Sequence, residues 1–213
     1  MEFNKQSTSV KSSASEAIID QGLRAYMLKV YNYMASGVLL TGLIALAFFK
    51  MAVVSEGNQI IGLTNFGNTI YASGLKWVIM LAPLAVVFYM SFGIAKMSAA
   101  KAQTTFWIFA ALMGASLSSI FLIYTGASIT RVFFITAGTF GAMSIYGYTT
   151  KKDLTKMGSF LMMGLFGIII ASIVNIFMKS TMMYFVISII GVLVFVGLTA
   201  YDTQKIKNMY LAS

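Results

Sequence analysis

Few residues in this chain could do chemistry in an apolar setting, and Asp202 comes first among them. It follows the uncharged run Phe195–Tyr201 and precedes Lys205 by about one helical turn. At the end of a helix its carboxylate would face the negative end of the backbone dipole, which disfavours the charge. Burial between packed helices would disfavour it further and make the group a proton-sensitive latch. A solvated Asp202 paired with Lys205 or Lys207 would instead be an ordinary boundary charge, and the residues alone leave both readings open. Asn175, near the end of another apolar run, carries the amide of an interhelical polar contact. Asp153, between Lys152 and Leu154, reads as a solvated loop charge. Lys96 and Arg131 flank two further apolar runs.

Other chemistry is excluded by what is missing. The chain has no histidine and no cysteine, so disulfides, His or Cys metal sites and Ser–His or Cys–His nucleophiles cannot be assembled. No nucleophile–base pair can be built, so the sequence reads as a non-enzyme. It offers no resident cofactor, and a metal site held by carboxylates alone is left open. No nucleotide-binding loop is present, which argues against primary pumping.

The elements that must position these residues are six nearly uncharged stretches, Tyr31–Phe49, Trp77–Ala95, Thr104–Tyr124, Val132–Tyr148, Gly158–Met178 and Met182–Tyr201. A helix needs about 20 mostly apolar residues to cross ~30 Å of hydrocarbon, and these fit. Composition agrees, with 59% hydrophobic and only 10% charged residues. The expected fold class is an all-α membrane protein, a polytopic helical bundle of six transmembrane helices. Pro83 lies within the second stretch, where neighbouring groups in a bundle would tolerate it as a kink. One domain is expected: a flexible polar tail over 1–24, the bundle over 25–208 and a stub over 209–213.

The net charge of +9 is distributed as topology rather than as a nucleic-acid footprint. With the N-terminus placed in the cytoplasm, that side gathers Lys5, Lys11, Arg24 and Lys29, then Lys96 and Lys101, then Lys151, Lys152 and Lys156, and finally Lys205 and Lys207. The other side keeps Lys50, Lys76, Arg131 and Lys179. That asymmetry is the positive-inside pattern for both termini in the cytoplasm. The polar, Ser-rich beginning has no signal-peptide core, so the first span reads as an uncleaved anchor.

Between Ser15 and Lys29, apolar and charged residues mix, which suits either a surface helix on the inner leaflet or an extension of the first span. The longest loop, Lys50 to Lys76, has an apolar centre at Gln59–Leu63, too short to cross but apolar enough to dip into the interface. Small residues recur four apart within spans, as at Gly114 with Ser118 and Ala137 with Gly141, a spacing that permits close helix packing. The fourth and sixth spans end alike, in Tyr148-Thr-Thr-Lys-Lys152 and Tyr201-Asp-Thr-Gln-Lys205. Aromatic-belt and positive-inside rules explain that echo better than an internal repeat.

Three segments in order, Phe140–Leu154, Ala171–Phe177 and Thr199–Lys207, together with Phe106–Ser119, resemble the Bax inhibitor-1 family, in the style of its bacterial inner-membrane branch. The resemblance covers about residues 24 to 208. It implies a bundle of seven helices associated with a pH-sensitive calcium leak, in which two aspartates share protons. Asp202 matches the first aspartate, and Lys96 falls where the family carries a basic residue, usually Arg, that contacts it. A Lys there offers a point charge in place of a bidentate fork. The chain stops at Tyr210-Leu-Ala-Ser213, where the family continues into a last helix bearing the second aspartate. Either the chain is shortened there or this member lacks that helix, and only in a six-helix form would Asp202 titrate without like-charge coupling.

Two readings follow from the resemblance. One is a pH-sensitive calcium (cation) leak with Asp202 and Lys96 as its pH-sensing and ion-pathway residues and Ca²⁺ as the transported ion. The alternative is a non-transporting membrane interaction protein that modulates a membrane protease or a cell-death or stress partner. In both, the lipid bilayer is the surrounding partner and nucleic acid is not.

Overall fold

A computed structural model describes the backbone of residues 3–56 and 59–212, with side chains described from Asp20 onward. Among these residues, six helices are long and apolar enough to cross a membrane: Asp20–Ala52, Leu75–Lys96, Ala99–Ile123, Gly126–Thr149, Thr155–Met178 and Thr181–Leu211. Each contains or closely matches one of the six uncharged stretches. The chain is an all-α polytopic membrane protein with one small β-hairpin.

Two boundaries differ from the reading of composition. α1 runs unbroken from Phe3 to Ala52, so the described backbone is helical through the Ser-rich stretch expected as a flexible tail. Neither Gly nor Pro occurs before Gly22, so nothing in that stretch terminates a helix. The final helix, α8 (Thr181–Leu211), likewise continues through most of the expected C-terminal stub.

The chain divides into two compact units, Lys29–Thr130 and Met1–Leu28 with Arg131–Ser213. In the first, α1 packs on α4 (Ala99–Leu117). The Gln103 amide donates to the Tyr33 hydroxyl (3.3 Å), Gly37 meets the Phe106 ring, and the Thr41 hydroxyl donates to the Ala110 carbonyl (2.8 Å). Contact numbers rise together along both helices, so the first and third spans run parallel. At Gly114 an added Cβ would meet the Thr41 carbonyl oxygen at 2.6 Å, which is why a residue without a side chain stands there.

Between these helices lies a structured loop. β1 (Val53–Glu56) pairs antiparallel with β2 (Gln59–Leu63), followed by α2 (Asn65–Gly67) and a π-helical turn over Asn68–Ala72. Gln59–Leu63 is therefore a strand. α3 (Leu75–Gly93) continues through a buried Pro83 and closes in a 3₁₀ turn at Ile94–Lys96. The third span is interrupted between α4 and α5 (Ile120–Ile123). There the Ser118 hydroxyl donates to the Ala115 carbonyl (2.6 Å) and the Ser119 hydroxyl to the Ser116 carbonyl (3.3 Å). Such back-bonding competes with the helix ladder, and a Ser pair is a common place for a helix to bend.

In the second unit, α6 (Gly126–Thr149), α7 (Thr155–Met178) and α8 form the packed set. α7 and α8 make an antiparallel hairpin, with Gly158 beneath the Tyr201 ring and Gly197 beneath Leu161. The start of α1 joins this unit. Leu23 and Met27, one turn apart, are buried, and the Tyr26 ring stacks on Tyr210 at 5.2 Å. The segment after Ser15 is thus an extension of the first span.

Candidate functional site

The C-terminal third of α8 divides by face. Ala200, Thr203, Gln204 and Lys207 fall at helical spacings of three, four and seven, and the first three are buried. Gly147 of α6 sits against the Ala200 backbone so closely that a Cβ would run into its carbonyl oxygen. Lys207 donates from Nζ to the Tyr148 carbonyl (2.7 Å) and lies 5.3 Å over the Tyr148 ring, so one cation occupies an orphan acceptor at the end of α6.

Gln204 closes the site. Its Oε1 accepts from the Leu154 N–H (2.8 Å) and its Nε2 donates to the Lys152 carbonyl (2.7 Å). One buried amide thus fixes the turn between α6 and α7 onto α8. In the same turn the Asp153 Oδ1 accepts from the Thr155 N–H (2.9 Å) and the Thr155 hydroxyl (2.6 Å). These bonds, aided by Lys156, hold the Asp153 carboxyl below the usual carboxylate range. Asp153 is therefore a turn former rather than an idle loop charge.

Asp202 occupies the other face of α8 and is exposed. The expectation of a carboxylate shut between packed spans differs from this arrangement, because Ala200, Thr203 and Gln204 take the inward positions. Its electrostatic neighbour is Lys205, about one turn along the same helix, whereas Lys207 is committed to Tyr148. Lys96 ends the 3₁₀ turn after α3, is exposed, and belongs to the Lys29–Thr130 unit, while Asp202 belongs to the other. Among the described residues, no three Asp or Glu side chains gather closely enough to hold a metal ion.

Asn175 lies in the last turn of α7. Its Oδ1 accepts from the Ser180 N–H (3.1 Å), and its carbonyl accepts from the Lys179 N–H (2.8 Å). Lys179 adopts a left-handed φ of 51°, and Ser180 then caps α8 by accepting from the Met183 N–H (3.2 Å). The Asn175 amide therefore bonds along the turn joining α7 to α8.

A polar pair that sequence reasoning missed sits at the interruption of the third span. The Tyr71 hydroxyl donates to Ser118 Oγ at 2.8 Å, and Ser118 is fully buried. Burial pushes the Tyr71 phenol above its ordinary range, against a smaller opposing pull from Ser118. Gln204 was legible only as part of the Thr199–Lys207 segment. Its buried position could have been found from its four-residue spacing to Ala200.

Comparison with known proteins bears on the same chain. The family model described as inhibitor of apoptosis-promoting Bax1 matches residues 23–213. An uncharacterised protein of Rickettsia prowazekii is 48% identical over 199 residues, covering 93% of this chain and 79% of that protein. Inner membrane protein YbhL of Escherichia coli K12 is 47% identical over 188 residues, 88% of this chain and 76% of YbhL. An uncharacterised membrane protein of Streptococcus pyogenes serotype M3 is 34% identical over 194 residues, 91% and 80% respectively. No solved structure matches.

Proposed function

The chain belongs to the Bax inhibitor-1 family, and on that premise we propose that it is a cation leak, calcium foremost, whose conductance responds to protonation of Asp202. The observation that carries the reading is the position of Asp202. It is the single acidic residue of a 31-residue membrane-length helix. A lone carboxylate on such a helix is costly unless wet, paired or functional. Carboxylate oxygen suits a hard cation, and one such group binds weakly enough for the ion to leave. The buried Gln204 clamp two residues on gives this carboxylate a fixed backbone. Lys96 enters as an ion-pathway residue through the family resemblance. An inner-membrane location and a cytoplasmic N-terminus complete the proposal, supported by the name of the Escherichia coli relative and by the excess of Lys and Arg assigned to one side.

The test is calcium flux into liposomes that hold the purified protein and an entrapped calcium dye, measured across pH 6 to 8. The expected result is flux above that of empty liposomes, with a pH response that Asp202→Asn abolishes while the melting temperature stays unchanged. Flux equal to empty liposomes at every pH, or an intact pH response in the variant, overturns the proposal. Absent flux together with specific retention of a membrane protease would favour the interaction reading.

A further inference from the structure

We infer that the β1–β2 hairpin is a lipid-binding element, seated in the headgroup zone beside the end of α1, with phospholipid as its partner. An isolated two-stranded hairpin is at best marginal in water. This one nevertheless exposes Val54 (43%), Ile60 (45%) and Ile61 (60%). The register slips by one residue between Val54 and Ser55, which leaves Ile61 as the unpaired residue of a bulge.

Its base is fixed to the membrane span with no intervening linker. Val53 directly follows Ala52, the last residue of α1. The Thr64 N–H donates to the Ala52 carbonyl (2.9 Å), and the Thr64 hydroxyl donates to the Met51 carbonyl (2.8 Å). Gly67 lies directly on the Ala52 backbone. These bonds satisfy two of the carbonyls that the end of α1 leaves open. At about 3.3 Å per residue, Glu56 stands only ~10 Å beyond Val53. The headgroup zone is itself about 5–8 Å deep on each side of the hydrocarbon.

Polarity is layered along the same direction. Glu56 pairs with Gln59 at the far end, while Val54, Ile60 and Ile61 lie nearer the base. Met51, Leu46 and Leu43 of α1 are exposed too, so apolar side chains are exposed both on the hairpin and on the end of the span it follows. The opposite end of the loop carries Lys76 5.4 Å over the exposed Trp77 ring, the basic and aromatic pairing of a membrane boundary. The hairpin's exposed apolar side chains, Val54, Ile60 and Ile61, are by themselves far fewer than the roughly 20–30 residues per side of a stable protein interface. A bilayer matches both the extent and the layering.

The absence of cysteine makes the test clean. Single nitroxide labels at Ile61→Cys, Val54→Cys and Glu56→Cys would be placed in full-length protein in phosphatidylethanolamine–phosphatidylglycerol vesicles. Relaxation by oxygen, which enters lipid, would be compared with relaxation by a nickel chelate, which stays in water. The expected oxygen-to-nickel ratio is several-fold higher at Ile61 and Val54 than at Glu56. Three equal, water-like ratios overturn the inference. So does dipolar broadening between labels at Ile61 that persists when the protein is diluted in lipid, which would mark a second copy as the occupant. Two independent apolar positions guard against one label disturbing the hairpin.

Discussion

Gln204 satisfies two backbone groups of the α6–α7 turn with one side chain, so its removal isolates the value of that clamp. Gln204→Ala leaves the Leu154 N–H and the Lys152 carbonyl without their partner and should lower stability by about 2–3 kcal/mol. Thermal melting in detergent checks the magnitude, and faster hydrogen exchange at Leu154 checks the location. Asp153 in the same turn gives a pH prediction. Its folded pKa is depressed, so its contribution is full above the unfolded value and is lost as pH falls through the folded one. Carbon-13 NMR of the labelled carboxyl should show a midpoint below about 3.9, and a midpoint at or above that value contradicts the Thr155 bonds. Asp202 was visible in the sequence because a charge at the end of an uncharged run is conspicuous. Which face it occupies was not, because that depends on which neighbours the α8 stripe packs against. The Asn175 amide was likewise recognisable as a hydrogen-bonding group, but its partner is set by the left-handed Lys179, which no composition rule announces.

The two glycines Gly147 and Gly138 of α6 provide a contrast at the level of the helix. A Cβ on Gly147 meets the Ala200 backbone, whereas one on Gly138 meets nothing within 4 Å. Gly147→Ala should destabilise the α6–α8 packing by about 1–3 kcal/mol. Gly138→Ala should be neutral or slightly favourable, because Ala is the better helix former by up to about 1 kcal/mol. Melting curves of the two variants separate close approach from propensity. At the interruption of the third span, Tyr71→Phe removes one hydrogen bond and should cost about 1 kcal/mol, since Ser118 keeps its bond to Ala115. Tyr71 is raised by burial, so its contribution is full below the ordinary tyrosine value of about 10 and is lost as pH rises through the folded one. All six spans were readable because hydrocarbon thickness demands length and apolarity together. The hairpin and the Ser118 break were not, because strand pairing and serine back-bonding act over a few residues and leave the hydropathy untouched.

For the whole chain, the charge asymmetry makes a topological prediction. Reporter fusions after Ser213 and at the N-terminus should be active only as cytoplasmic reporters, and a fusion within residues 57–58 only as an external one. The opposite pattern would reverse every side assigned here. The family was legible because the three motif segments carry their residues in order, and the match over residues 23–213 now stands beside them. One measure of α8 has a bearing on how such a molecule meets its surroundings. From Thr181 to Asp202 the helix rises roughly 31 Å at 1.5 Å per residue, almost the thickness of a typical hydrocarbon slab. With Thr181 set at one face of the hydrocarbon, Asp202 would fall near the other, where two or four extra methylenes in the acyl chains move it between oil and water. On the proposed reading of Asp202 as the proton switch, acyl-chain length would be an input to its ionisation, and flux should respond to acid differently in thin and thick membranes.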